Sequence, residues 1–116
     1  MRISIEGERK IAEEIAAEGG TGLLQLDRLV NAPDIPKKVR MFAKATLEAG
    51  ASVGYHVHHN ESETYYILSG EGEYSDGKNT VKVFAGDVTY TPDGEGHAIK
   101  NIGREPLVFI ALIVLE

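Results

Sequence analysis

From residue 38 onward, apolar and polar positions alternate with a period of two. Along Arg40–Leu47, Met41, Ala43, Ala45 and Leu47 form one wholly apolar set, and Arg40, Phe42, Lys44 and Thr46 form the other. That period is the signature of a strand with one face on a core. Arg40 and Lys44 are therefore expected to point away from the interior. Ser52–His58, Glu63–Leu68, Gly72–Ser75, Thr80–Phe84, Asp87–Thr91, His97–Ile102 and Leu107–Leu115 continue the series. Asp76-Gly77 reads as a hairpin turn, and Gly50, Gly70, Gly86 and Gly94 punctuate other turns where a positive φ suits glycine. Short strands at this spacing predict an all-β sandwich or barrel.

Two stretches break the pattern. Within residues 8–18, Ile11 and Ile15 are four apart among charged residues, which predicts a short amphipathic helix stopped by Gly19-Gly20. Leu23–Val30 reads as a strand, and Pro33 and Pro36 make the following segment a loop. The chain thus divides into an N-terminal helix-and-strand extension, 1–37, and a barrel, 38–116. The second exception is Leu107–Leu115, apolar on both faces, where a strand with one wet face would alternate. Its outer face needs a cover. The candidates are the 8–18 helix or a second copy of the chain; a homodimer, with N-terminal segments crossing between subunits, is the expectation.

Composition narrows the function. A chain of 116 residues makes one domain. A net charge of -6 with no basic stretch speaks against nucleic acid and against an anionic membrane surface. The absence of cysteine excludes disulfides and thiolate metal sites, and suits a reducing cytoplasm. The first ten residues hold no apolar leader, and Leu107–Leu115 is far short of the ~20 residues that span a bilayer as a helix. The expected protein is cytoplasmic, with a small molecule as its ligand.

Four histidines carry the candidate chemistry. His56 and His58 are two apart, so on a strand both imidazoles point to one face, about 7 Å apart. Such a pair alone is ordinary polar surface. With residues 59–62 as a turn, however, Glu63 returns beside them on a face shared with Tyr65 and Ile67. His97 begins a new strand after Pro92–Gly96. Three neutral nitrogens and one carboxylate leave open positions on an octahedral ion, the layout of a catalytic site more than a structural one.

These residues carry a resemblance to the cupin superfamily. Its first motif, G-x5-H-x-H-x4-E-x6-G, is met by Gly50, His56, His58, Glu63 and Gly70. Its second, G-x5-P-x-G-x2-H-x3-N, is met by Gly86, Pro92, Gly94, His97 and Asn101, with every spacing kept in both. The motifs cover residues 50–101 and leave the N-terminal fifty residues uncovered. The resemblance implies a double-stranded β-helix, or jelly-roll, barrel with one divalent metal held by His56, His58, Glu63 and His97. Pro92 and Asn101 read as structural, and His59 as surface.

Three histidines and a carboxylate suit Mn, Fe, Co, Ni or Zn and not copper(I); manganese or iron is the expected working ion. The first functional expectation is a metal-dependent enzyme, oxygenase-like, acting on a small organic molecule. Proton transfer would need another group. Glu95, Tyr65 and Tyr90 are the candidates, each with a plainer reading as rim surface or barrel lining. Oxalate decarboxylase-like cupins carry an arginine three residues before the first motif histidine. Val53 stands there instead, which disfavours that activity. A sugar-phosphate isomerase would want a cationic cradle that Lys78, Lys82 and Lys100 are poorly placed to make. The alternative to an enzyme is a non-catalytic barrel that binds metal or a small ligand.

Overall fold

Residues 1–116, all described by a computed structural model, form ten strands. They are β1 (Ile11–Ile15), β2 (Leu23–Arg28), β3 (Val39–Leu47), β4 (Ser52–Val57), β5 (Glu61–Ser69), β6 (Glu71–Ser75), β7 (Thr80–Phe84), β8 (Val88–Thr91), β9 (Gly96–Asn101) and β10 (Leu107–Leu115). A six-stranded sheet runs β1-β2-β3-β10-β5-β8, and a four-stranded sheet runs β4-β9-β6-β7. The two face each other as a jelly roll. The predicted hairpin at Asp76-Gly77 joins β6 to β7, and the Asp76 carboxylate accepts from the Lys78 and Asn79 amides at 2.9 and 2.7 Å. Gly50, Gly70, Gly86 and Gly94 all have positive φ. At Gly70 a Cβ would also lie 2.7 Å from the Pro106 carbonyl oxygen, so two constraints demand glycine there.

Alternation builds the core as expected. Leu47, Ile67, Leu107 and Phe109 come from the larger sheet, Val83 and Ile99 from the smaller, and all are buried. Asn101 is buried at the end of β9. Its Nδ2 donates to the carbonyls of Leu47 (3.0 Å) and Glu105 (2.8 Å), and its Oδ1 accepts from the Gly103 amide (2.9 Å). A buried amide satisfied this way ties a loop to β3, the structural role expected of it.

The predicted 8–18 helix does not form. Residues 11–15 are the edge strand β1, paired antiparallel with β2, and the helical remnant is a single 3-10 turn at Ala17–Gly19. A spacing of four fits a strand as well as a helix, because Ile11 and Ile15 also share a face at period two. The unpaired edge of β2 then decides the outcome. The two strands of the extension 1–37, β1 and β2, accordingly extend the six-stranded sheet. After β1 the chain forms a strap in which buried Ala17 sits between Ala16 and Glu18, both with left-handed φ (55° and 52°). The strap lies hard against β4. A Cβ on Gly54 would come within 2.2 Å of the Glu18 carbonyl oxygen.

No helix covers β10, which runs centrally between β3 and β5. Its Leu107, Phe109, Ala111 and Ile113 point into the core, while Val108, Ile110, Leu112 and Val114 form a half-buried outer row. No helix is long and apolar enough to cross a membrane.

One ion pair anchors the N-terminal segment. Arg9 donates from Nε and Nη2 to the two oxygens of buried Asp27 at 2.8 and 2.9 Å. The guanidinium hydrogen bonds hold the Asp27 carboxyl below the usual carboxylate range, against an opposing push from burial. A depressed carboxylate contributes stability that is complete above its unfolded pKa and is lost as pH falls through the folded one. The penalty of Asp27→Asn, measured by urea unfolding, is therefore expected to be full near about pH 6 and to shrink once pH drops below about 4.

Candidate metal centre

The site is built at the seam between the sheets. On β4, one extra residue intrudes between Val53 and His56, because Val53 pairs with Ile99 and His56 with His97. This bulge lets both Val53 and His56 face inward and frees the Gly54 carbonyl, which meets His56 Nδ1 at 2.8 Å. His97 lies directly across on β9. His58 follows the end of β4, and Glu63 comes from β5 on the opposite sheet. The strand β5 begins at Glu61, so the expected turn at 59–62 is shorter and centres on Asn60, whose φ is 63°. Glu63, Tyr65 and Ile67 share the inward face as predicted, and His59 is exposed.

The four donors converge. Glu63 Oε1 lies 2.9 Å from both His58 Nε2 and His97 Nε2, and those two nitrogens are 3.0 Å apart. The His56 ring centre is 4.9 Å from that of His58 and 4.7 Å from that of His97. One donor atom from each residue falls within 4.8 Å of all the others.

The outer contacts set the tautomers. A carbonyl only accepts, so His56 carries its proton on Nδ1, toward Gly54. The Glu61 carboxylate, 2.5 Å from His58 Nδ1, fixes the same tautomer there. His97 Nδ1 meets the hydroxyls of Tyr74 and Thr91 at 2.8 and 2.9 Å. Burial lowers the His97 pKa and so favours the neutral ring, partly opposed by Glu63. These contacts direct the Nε2 lone pairs of His56 and His58 inward, with that of His97 free to join them. Two lone pairs at 3.0 Å repel unless a cation or a proton lies between them. Neutral imidazoles held by outer acceptors, together with a carboxylate, fit a divalent transition ion.

A cavity of about 270 Å³ opens above the cluster. Val53, Met41, Ala45, Phe109 and Ile113 give it apolar walls, and Glu14, Glu18 and Arg40 also line it. Tyr65 is buried against it, its ring stacked on His97 at 4.9 Å. Burial first, and the Glu63 charge second, push its hydroxyl well above the usual tyrosine range, so Tyr65 remains a phenol. Of the other two residues considered for proton transfer, neither lines the cavity. Tyr90 is 59% exposed on the outer face of β8, contrary to the inward placement considered for it. Here alternation runs against hydropathy: Thr89 and Thr91 turn inward because Thr91 serves His97. Glu95 is exposed and reaches the site only through its backbone carbonyl, which accepts from the His58 amide at 3.0 Å.

Arg40 corrects a further expectation. On β3, Met41 pairs with Ile113 and Val39 with Val114, leaving Arg40 as the extra residue of a second bulge. Arg40 thereby lines the cavity, whereas Lys44 does not. Glu61, Tyr74 and Thr91 were also missed from the sequence. Their roles depend on contacts across strands that no local spacing encodes.

A family model of the cupin domain matches residues 43–113, and the chain belongs to the cupin family. An oxalate-binding protein of Thermotoga maritima is 43% identical over 97 residues, covering 84% of this chain and 80% of that protein. The crystal structure of a predicted oxalate decarboxylase from the same organism superposes with a TM-score of 0.93 at 37% identity, covering 99% of this chain and 100% of that one. An oxalate decarboxylase of Bacillus subtilis is 43% identical over 75 residues, which are 60% of this chain but only 20% of that protein.

Proposed function

We propose that the chain holds one divalent transition metal ion through His56, His58, Glu63 and His97 and uses it to bind a small carboxylate such as oxalate. The observation that carries this reading is the convergence of the donors at a small cavity with apolar walls. A bound ion would supply Lewis acidity to a ligand oxygen in that cavity. The chain's own residues supply the rest. Glu61 and the Gly54 carbonyl orient two of the imidazoles, Tyr65 stays protonated beside the cluster, and the apolar walls exclude water. The similarity to an oxalate-binding protein supports the ligand class. Val53, on the cavity wall in place of an arginine, supports binding over decarboxylation.

The test is metal analysis by mass spectrometry on untagged, manganese-reconstituted protein, followed by titration calorimetry with oxalate. Near one equivalent of metal, with oxalate binding abolished by chelation, is expected. Failure to take up metal overturns the whole reading; metal without oxalate binding overturns the ligand. The second reading, an oxygenase-like enzyme at the same centre, draws on the cavity that adjoins the four donors. It requires oxygen uptake or a new product in the same reconstituted sample.

For assembly we propose a homodimer through the outer face of the six-stranded sheet. Tyr66, Leu68, Val88 and Tyr90 are 41–61% exposed there, continuous with the outer row of β10. Ile3 and Ile5 are likewise exposed, at alternate positions of an extended segment. Light scattering is expected to give twice the chain mass for the wild type and a single chain for Val88→Lys. A monomeric wild type overturns the dimer.

A further inference from the structure

We infer that Arg40 sets the ligand specificity of the metal cavity, so that the site prefers small dicarboxylates, one end on the metal and the other on the guanidinium. This rests on the metal-dependent carboxylate reading above and adds to it the residue that discriminates between carboxylates.

The first support is the bulge. Regular pairing along β3 would carry Arg40 to the outer face with Lys44. The extra residue in the register against β10 brings it to the cavity instead. A bulge leaves one residue of the ladder unpaired, and next to a site its usual effect is to re-aim a side chain.

The second is how the guanidinium is held. Its Nε and Nη2 donate to Glu61 Oε1 and Oε2 at 2.7 and 2.9 Å. A guanidinium has five N–H groups, and this side-on fork uses two of them. The two on Nη1 and the remaining one on Nη2 bond to no protein group, so an end-on edge is left, with a spacing that matches a second carboxylate. Glu61 Oε2 is itself shared with His58 Nδ1. Arg40 is thus fixed relative to the metal cluster through a continuous chain of hydrogen bonds, although its side chain is 53% exposed.

The third is charge. Arg40 is the sole cationic residue lining the cavity, beside the carboxylates of Glu14, Glu18, Glu61 and Glu63. Glu61 is neutralised by Arg40, and Glu63 would be offset by the ion. Glu14 and Glu18 are exposed at the rim and screened by solvent. A monocarboxylate can satisfy the ion alone. A second carboxylate, pointing outward past the apolar walls, finds a partner only at Arg40.

The experiment is calorimetric titration of manganese-loaded wild type, Arg40→Met and Arg40→Lys with oxalate, malonate and acetate, with metal content measured on each sample. Arg40→Met is expected to weaken the better dicarboxylate about 10- to 100-fold, leave acetate within about 2-fold, and keep near one equivalent of metal. Arg40→Lys, which keeps the charge without the fork, should recover only part of the loss. Equal losses for dicarboxylates and acetate, or no loss for either, overturn the role of Arg40 while leaving the metal-carboxylate reading intact. A wild type that loads metal but binds none of the three overturns both. Metal lost from Arg40→Met would mean that the residue acts through Glu61 and His58, and it overturns specificity as its role.

Discussion

His58→Ala is expected to carry less than about a tenth of an equivalent of metal after a chelator wash, against near one for the wild type. His58 is 5% exposed and connects two systems. Its Nε2 lies 2.9 Å from Glu63 and 3.0 Å from His97, and its Nδ1 lies on the Glu61 carboxylate. Alanine removes one donor from the cluster, and it leaves Glu61 paired with Arg40 but no longer facing an imidazole. Losing an outer partner of a ligand alone typically costs 10- to 100-fold in metal affinity, and losing the ligand itself costs more. The fold survives, because His58 lies outside the main apolar cluster that joins the sheets. The checks are metal analysis alongside far-ultraviolet circular dichroism. Wild-type metal content in a folded His58→Ala protein would remove His58 from the ligand set.

The second large effect falls on stability. Phe109→Ala is expected to cost about 3–5 kcal/mol, a large share of the roughly 5–15 kcal/mol that stabilises a domain. Phe109 is 2% exposed near the start of β10, and its ring centre is 4.5 Å from that of Tyr65. Alanine there leaves a void on the inner face of the six-stranded sheet beside Tyr65, and the strands paired on both sides of β10 limit how far it can collapse. The same substitution enlarges the metal cavity, since Phe109 forms part of its wall. Urea unfolding monitored by circular dichroism measures the loss. A cost below about 1 kcal/mol would show that the core repacks freely.

The strands after residue 38 were legible because alternation and glycine turns are local signals, and each strand shows its own. The convergence of the four candidate donors was legible for a different reason. The spacings from Gly50 to Gly70 and from Gly86 to Asn101 match a known family, and the structure brings His56, His58, Glu63 and His97 together. What escaped depends on partners. Ile11 and Ile15 satisfy two periodicities at once, so only the free edge of β2 could choose between them. Arg40 follows the period of its strand until a bulge, visible only against β10, reverses it. Tyr90 misleads because a polar site sits inside the barrel, so threonines turn inward and the aromatic ring goes to the surface. Glu61 stands two residues before Glu63, yet its contacts with Arg40 and His58 appear only when the strands are folded together.

The division of the donors between sheets has a mechanical consequence. His56 and His97 belong to the smaller sheet and Glu63 to the larger, so an ion held among them would act as a clasp across the sandwich. Prying the sheets apart at this end would have to break coordination bonds before any apolar contact is exposed. Ligands that bind only the native state add RT ln(1 + [L]/Kd), about 4 kcal/mol at a thousandfold excess over Kd. Here that energy would be concentrated on one seam. The loaded barrel would then resist opening most at the end where its ligand enters, and its slowest breathing motion would pass to the opposite end, around Asn101 and Gly70.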